Sequence, residues 1–522
     1  MKAQDYKISS EKFVFTSNAD KIHDQKLETK PVTYLQDALN RFARNKASIV
    51  AFVIIVILLL FAIFGPLFSP FTVAYEDANY AFARPKNQLF YDLGIPFWDG
   101  GTEKEVSQLA YDQYRAIQEE LGPYGANLFM SDVVSSEQTY MGKTKTLYTF
   151  RLNTYDAVGV KFELLTLDEY EKLQAYQDET GIQVILPITD TKQRPKAVQD
   201  KENANIWYRT KLGAGNKTEI VFNKNSEDGK GFIPIYKEYD GTDGYHSLRV
   251  EGQDTPKYNY AELKDNNTNY NVRVNYREYY IYQHKMAGDK ITEPLFILGA
   301  NNAGKDLFTC LASGARFSFI LAIIVSVVNL FVGAIYGAVE GYYGGRTDII
   351  MERIVEIIGS IPFMIVITLL KYHFNVSHFI ILFISFFLTG WTGMAGRTRM
   401  QFYRFKHQEY VLVARTLGAK DSRIMFKHIF PNAVGTLITG SVLVIPGVIF
   451  SETSLSYLGI IDLNTGSMTS VGTLLASGQQ YLFTYPHMII FPAIFISLLM
   501  LSFNLFGNGL RDAFNPSLRG TE

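Results

Sequence analysis

The stretch EYVLVARTLGAKDSRIMFKHIFPN, residues 409–432, is polar and basic, carries a helical pattern, and stands between two membrane-length apolar segments. Tyr410, Val413, Ala414 and Leu417 fall at helical spacing, Gly418 breaks the pattern, and Ile424 to Ile429 resumes it before Pro431. The spacing predicts helix, turn, short helix. Between residues 396 and 432 the chain has eight Lys or Arg against two acids, Glu409 and Asp421, a bias that places this loop on the cytoplasmic side of a membrane. A basic helical loop of this kind offers a surface for another protein to grip.

Around it, six segments are apolar enough, at about 20 residues each, to cross a hydrocarbon core. They lie near residues 47–68, 316–339, 354–372, 378–395, 434–455 and 487–506. An even number returns both termini to one side. The tail 1–46 holds nine Lys or Arg against six acids, which assigns that side, and both termini, to the cytoplasm. The first apolar run lacks a small-residue cleavage site and reads as an anchoring helix, not a removed signal. Just before it, Leu35, Ala38, Leu39, Phe42 and Ala43 line one helical face, a pattern for a helix in the inner membrane interface or one packed on the rest of the chain.

Between the first two spans, residues 72–304 read as a separate domain outside the cytoplasm. Val160, Phe162 and Leu164 alternate with Lys161 and Glu163, and Val272, Val274 and Tyr276 alternate with Arg273, Asn275 and Arg277, two strand patterns. A third strand is expected over 182–188. Capping-box spacing at Thr102 with Glu105 and at Thr166 with Glu169 predicts helices running to Gly122-Pro123 and to Gly181. The domain is therefore α+β. From 72 to 315 there are 27 basic and 35 acidic residues, an acidic balance that argues against a nucleic-acid partner. Its many tyrosines suit an interface, hence a docking platform for a binding protein or substrate; a structural cap on an outer gate is the alternative, with the tyrosines in its core. One cysteine, Cys310, just ahead of the second span, excludes an intrachain disulfide.

The residues offer little catalytic chemistry. Gly142-Lys143-Thr144 mimics the end of a phosphate-binding loop, but Glu137 stands where its first glycine belongs. His373 and His378 are five apart, off the spacing for a shared ligand face, and no GxSxG organises a nucleophile. Glu452, inside an apolar segment, is the ionisable residue with the strongest claim to a gate or pore role, although it could simply reach interfacial water. Pro362 and Pro446 interrupt spans, either as bends lining a path or as purely structural breaks. Arg353 and Glu356, three apart, suit a structural pair.

The 409–432 stretch resembles the cytoplasmic loop of permease subunits of ATP-binding-cassette importers, EYVxAAxxxGxxxxxIxxxHIxPN. Glu409, Tyr410, Val411, Ala414, Gly418, Ile424, His428, Ile429, Pro431 and Asn432 match, while Val413 stands where a small residue is usual. GARFS at 314–318, GYYGG with Asp348, Ile361-Pro362, SETSLSYLG at 451–459 and FNLFGNGLRDAFNP at 503–516 extend the likeness over 31–72 and 295–520. It points to the second permease subunit of the dipeptide and oligopeptide (peptide/nickel) subfamily. The resemblance implies a type I importer fold of six transmembrane helices with an inserted extracytoplasmic α+β domain, in the plasma membrane of a bacterium. It further implies that Glu409, Tyr410, Ala414, Arg415, Gly418, Ala419, Ile424, His428 and Pro431 couple the chain to an ATPase, with small Ala and Gly allowing close approach and Arg415, Lys420 and Arg423 pairing with acids on the partner. No cofactor would be bound by this chain, ATP and Mg being used at partner subunits. Those partners would be a second homologous permease, two ATP-binding subunits, an extracytoplasmic substrate-binding lipoprotein and membrane lipid. Di- or oligopeptides are the implied substrates. Nickel or another small solute is the alternative within the architecture, and a ligand-sensing membrane receptor is the alternative outside it. On this reading the chain divides into a tail (1–46), a first span (47–68), an outer domain (72–304), five further spans (316–506) and a second tail (507–522).

Overall fold

The computed structural model describes residues 34–514 apart from 97, 141–142, 191–209, 214–216, 221, 224–230, 233–234, 242–255, 265–267 and 464–467. Most of the 1–46 tail, the end of the 507–522 tail and Gly142 of the phosphate-loop mimic lie outside the described residues.

Helix α1 (Tyr34–Arg44) is followed through an Asn45 cap by α2 (Lys46–Phe68), a 23-residue apolar helix. Ala38 is buried and Phe42 packs edge-on against Phe506, while Leu39 stays exposed, so α1 both leans on the chain and keeps an apolar edge free. Helix α2 contains Pro66, whose missing N–H leaves the Ala62 carbonyl without its helical partner. Arg316 supplies the bond from Nε at 3.0 Å and reaches the Ile63 carbonyl from a terminal nitrogen at 2.8 Å.

Residues 72–304 form a mixed unit. Short helix α3 (Gln88–Asp92) leads to a three-stranded antiparallel sheet, β1 (Gly101–Ser107), β3 (Lys143–Asn153) and β2 (Val134–Tyr140) in that spatial order, with α4 (Gln108–Leu121) between β1 and β2 in the chain. A second sheet places β11 (Asn269–Asn275) between β10 (Ala261–Lys264) and β4 (Val160–Thr166), with β5 (Ile185–Leu186) also paired to β11. Two small ladders, β6 (Thr210–Gly213) with β7 (Lys217–Ile220) and β8 (Phe222–Asn223) with β9 (Gly231–Phe232), complete the described strands. Helix α5 (Leu167–Thr180) starts at the Thr166/Glu169 capping box, both reciprocal bonds present, and stops at Gly181 with φ +71°. Helix α6 (Tyr276–Ala287) closes the unit.

Three expectations here are corrected. Thr102 and Glu105 lie on β1, opposite Leu152 and Thr149, and the helix begins only at Gln108; a long-range ladder outweighs a capping signal that spacing alone carries. The strand expected over 182–188 shrinks to Ile185–Leu186. Arg273, placed by alternation on the solvent side of its strand, is fully buried, held bidentate by Glu120 and donating to the Pro187 carbonyl at 3.1 Å, with the Tyr236 hydroxyl on the same Glu120 at 2.7 Å. Burial alone would lower the Arg273 pKa, but Glu120 overrides it and the net shift is upward. The tyrosines Tyr80, Tyr155, Tyr170, Tyr276 and Tyr280 lie in the core, the second of the two places the sequence left open for them.

Five helices among the described residues are long and apolar enough to cross a membrane, or six if a bent pair counts as one span. They are α2, α7 (Leu307–Tyr343), α10 (His378–Phe405), the stretch Asp421–Tyr457 and α16 (His487–Ala513). The bent pair is α8 (Gly345–Gly359) with α9 (Phe363–His373), turned by 68° at the interruption expected from Pro362, and it starts earlier than the span placed over 354–372. Pro362 explains the bend: it cannot donate to a carbonyl one turn back, and it pushes Ile361 out of the helical region. Helix α7, about 55 Å long at 1.5 Å per residue, starts earlier than expected, so Cys310 is inside its first turn. Gly333, Gly337 and Gly341 form a notch along it against α10. A Cβ on Gly337 would sit 2.1 Å from the Ala395 carbonyl oxygen, and one on Gly341 2.7 Å from that of Arg399. Close approach of two backbones is how small residues stabilise helix pairs where no hydrophobic drive exists.

Candidate functional site: the 409–432 loop and the buried joint above it

Helix α10 runs on to Phe405, so the loop starts later than its charge suggested. Arg399, one of the eight basic residues counted over 396–432, is inside the helix and engages Asp348 bidentately at 2.6 and 2.9 Å, with Glu340 at 3.3 Å and Glu352 at 3.4 Å. Tyr403 adds a donor to Asp348 at 2.7 Å. This cluster fastens the start of α8 to α10.

Helix α11 (Glu409–Thr416) ends at the capping residue Leu417. Gly418 follows at φ +81°, its N–H donating to the Arg415 carbonyl (3.0 Å) and that of Ala419 to Ala414 (3.1 Å). These two bonds define a Schellman stop, which needs a residue free to be left-handed. Beyond it come α12 (Asp421–Arg423), a π-helical segment Ile424–Ile429 and α13 (Phe430–Val442). Pro431 does not end the second helix, as expected, but sits in the first turn of α13. Its missing N–H orphans the Lys427 carbonyl, and the ladder adjusts to a five-residue step, Phe430 donating to Met425.

The loop is bound to its own chain by one face and open on the other. Val411, Ile424, Met425 and Ile429 are buried with Ala338, Tyr342 and Phe402, Ala419 packs beside them, and Ala414 is buried as well. Tyr410, Val413 and Leu417 point outward, Leu417 being 81% exposed. Sequence spacing had grouped Ala414 with the outward set; it belongs to the inward one. Tyr342, at the end of α7, donates to Asp421 Oδ1 at 2.6 Å, and the Arg415 guanidinium lies 5.8 Å from the centre of its ring. Arg415 is therefore engaged within the chain. Asn432 donates to the His428 carbonyl at 2.8 Å and to the Tyr410 hydroxyl at 3.2 Å, joining the two ends of the motif. Glu409, Lys420 and Arg423 are exposed.

Glu452 is in α14 (Val444–Tyr457), which a break at Leu443 separates from α13, three residues ahead of Pro446. It does not reach water: the side chain is fully buried and accepts from Ser318 at 2.7 Å and Ser456 at 3.1 Å, with Ser470 also bonded to it. Ser470 caps α15 (Val471–Gln479), and Gly314 and Gly472 bring the backbones within contact range. Glu452 thus ties α7, α14 and α15 together inside the chain. Pro446 is buried and Pro362 exposed. Arg353 and Glu356 form their pair on the exposed side of α8. His373 and His378 sit at the facing ends of α9 and α10, and His373 Nδ1 is satisfied by the Leu369 carbonyl at 3.0 Å. Two features escaped sequence reading: the Glu340, Asp348 and Arg399 cluster, and the glycine notch, whose signal was the four-residue recurrence in GAIYGAVEG.

The upper ends of the helices meet the 72–304 unit at residues 481–487. Phe82, at φ +63°, stacks on Tyr485 with ring centres 4.4 Å apart, Arg84 donates to the Thr484 carbonyl, and His487 Nε2 lies 3.2 Å from the Ala300 carbonyl.

Residues 331–520 match the family model for the binding-protein-dependent transport system inner membrane component, and 33–85 match the N-terminal TM domain of oligopeptide transport permease C. The oligopeptide transport system permease protein OppC of Bacillus subtilis is 42% identical over 221 residues, 42% of this chain and 72% of that protein. The dipeptide transport system permease protein DppC of the same organism is 39% identical over 227 residues, 42% and 68%. OppC of Haemophilus influenzae is 37% identical over 234 residues, 45% and 74%. Among solved structures, an inward-facing MetNI methionine ABC transporter covers 40% of this chain at 14% identity and a TM-score of 0.32, too distant to carry an argument. With relatives this similar over two thirds or more of their own length, the chain belongs to the family of inner membrane components of binding-protein-dependent transport systems.

Proposed function

We propose that this chain is one permease subunit of an ATP-driven importer, forming half of a translocation path for di- or oligopeptides. Two ATP-binding subunits, a second homologous permease and an extracytoplasmic binding lipoprotein complete the machine. Both termini and the 409–432 loop face the cytoplasm, and the 72–304 unit faces outward. The observation that carries this reading is the two-faced loop: an outward ridge of Tyr410, Val413 and Leu417 is mounted on a base locked to α7 by Tyr342 and Asp421. A surface so mounted transmits a push on the ridge into the spanning helices, which is what a coupling element requires. ATP and Mg act at the partners, and alternating access follows from movement of the permease pair.

Peptide specificity is supported by the named relatives. The test is uptake of labelled di- to hexapeptides by cells with and without this chain, its neighbouring subunits held constant, with nickel assayed in parallel. Loss of peptide uptake alone is the expected result; loss of nickel uptake alone would replace the substrate. The 72–304 unit is assigned as the platform where the binding protein delivers its cargo. Its attachment to residues 481–487 supports this role, because contacts on the unit would be relayed to the start of α16. Deleting it should weaken delivery, and unchanged kinetics would leave it a structural cap.

A further inference from the structure

A pocket of about 400 Å³ opens between the ends of α10, α13 and α16. Arg397, Arg404 and Arg511 line it, Met400, Leu443 and Phe514 supply apolar wall, and no acid is among the lining residues. Arg397 donates to the Gly440 carbonyl at 3.1 Å, and among the described residues no ion pair involves any of the three arginines. Three guanidinium groups around one partly enclosed space repel one another unless an anion joins them, and each offers planar paired donors suited to phosphate oxygens.

The depth of the pocket identifies the anion. The apolar run of α2 begins just after Lys46, and Ser48 lies directly against Gly509, with a Cβ there only 1.9 Å from the serine hydroxyl oxygen. The boundary between hydrocarbon and headgroups therefore falls near Gly509, two residues before Arg511. Amphipathic α1 packs on α16 at the same level through Phe42 and Phe506. Arg404 is one residue from the end of α10.

We infer that this pocket binds the phosphate of an anionic phospholipid of the leaflet facing the 409–432 loop, the three arginines holding the headgroup and Met400, Leu443 and Phe514 the start of its acyl chains. The leaflet assignment rests on the proposed orientation; the site itself does not. Basic pockets between helices at the headgroup level are the usual form of such recognition. Because α10 and α13 flank the 409–432 loop, an occupied pocket braces both arms of that loop.

Native mass spectrometry of the assembled transporter tests this, after exchange into neutral detergent with equal amounts of phosphatidylglycerol and phosphatidylcholine. The expected result is a retained phosphatidylglycerol adduct, undiminished by millimolar inorganic phosphate or by a tripeptide. It should fall by roughly twentyfold in the Arg404→Gln, Arg511→Gln double variant and persist in the Arg404→Lys, Arg511→Lys variant. Equal retention of the two lipids by the unaltered transporter would overturn the inference whatever the variants do. So would displacement by free phosphate or by peptide, which would make the pocket a general anion or substrate subsite. Peptide uptake, measured separately, judges the transport reading independently.

Discussion

The Tyr342 hydroxyl donates to Asp421 Oδ1 at 2.6 Å, a bond that crosses from the last turn of the long helix α7 to the first residue after the loop's turn. Seventy-nine residues apart in the chain, the two fix where the loop stands relative to the membrane helices.

Removing that hydroxyl in Tyr342→Phe keeps the ring and deletes one hydrogen bond to a charged acceptor, a change of about 1.5–3 kcal/mol. Hydrogen exchange over 409–423 should quicken while the rest of the chain keeps its protection. In the assembled transporter, ATP hydrolysis should continue with fewer substrate molecules moved per ATP. Unaltered exchange in the loop would show the bond to be dispensable.

Gly418 tests the turn itself. Nothing lies within 4 Å of a Cβ placed there, so substitution is limited by backbone conformation and not by space. Gly418→Ala must hold an L-residue in the left-handed region, at about 1–2 kcal/mol, and should reduce transport. Gly418→Pro cannot reach φ +81° and also deletes the N–H that Arg415 accepts, so transport should be abolished with membrane insertion intact. Normal uptake by a well-expressed proline variant would sink the coupling assignment.

The loop's path was legible because its cues are local: a glycine at a helix stop and helical spacing on either side. Which face would be buried was not. On a helix as short as α11 both the Tyr410, Val413, Leu417 stripe and the Val411, Ala414 stripe are apolar, and only packing on Phe402 and Tyr342 decides between them. Distance hid the rest. Arg273 looked solvent-facing because its partner, Glu120, is 153 residues away, and Thr102 looked like a cap because the pairing of β1 with β3 leaves no mark within three residues. Glu452 was singled out correctly as unusual, but the serines that hold it come from three separate segments.

For Glu452 the structure favours a joint over a gate. Glu452→Ala would leave buried hydroxyls at Ser318, Ser456 and Ser470 without their acceptor, at about 1–3 kcal/mol for each one left unsatisfied, and open a cavity. Thermal unfolding of the purified chain should shift down clearly, whereas Glu452→Gln, which keeps one acceptor oxygen, should lose less. If both variants melted like the parent yet transport stopped, the gate reading would stand instead.

In the 72–304 unit, Asp99 is buried against Arg151, which donates to it from Nε at 2.8 Å and from a terminal nitrogen at 2.6 Å. Burial alone would raise the Asp99 pKa, but Arg151 and the Gly101 N–H outweigh it and hold the carboxyl below its usual range. A depressed carboxyl contributes stability that is complete above the unfolded value of about 3.9 and is lost as pH falls through the lower folded value. Asp99→Asn should therefore lower the melting temperature by a constant amount from pH 6 down to about pH 4, and the gap to the parent should narrow only below that. A gap independent of pH would mean the aspartate acts through shape alone.

The most direct test of the central claim is a photo-reactive probe installed in place of Leu417, the most exposed point of the outward ridge, in the complete transporter. The account predicts an ultraviolet-dependent cross-link to an ATP-binding subunit. A probe that reached only lipid or the second permease, in a transporter with normal uptake, would contradict it.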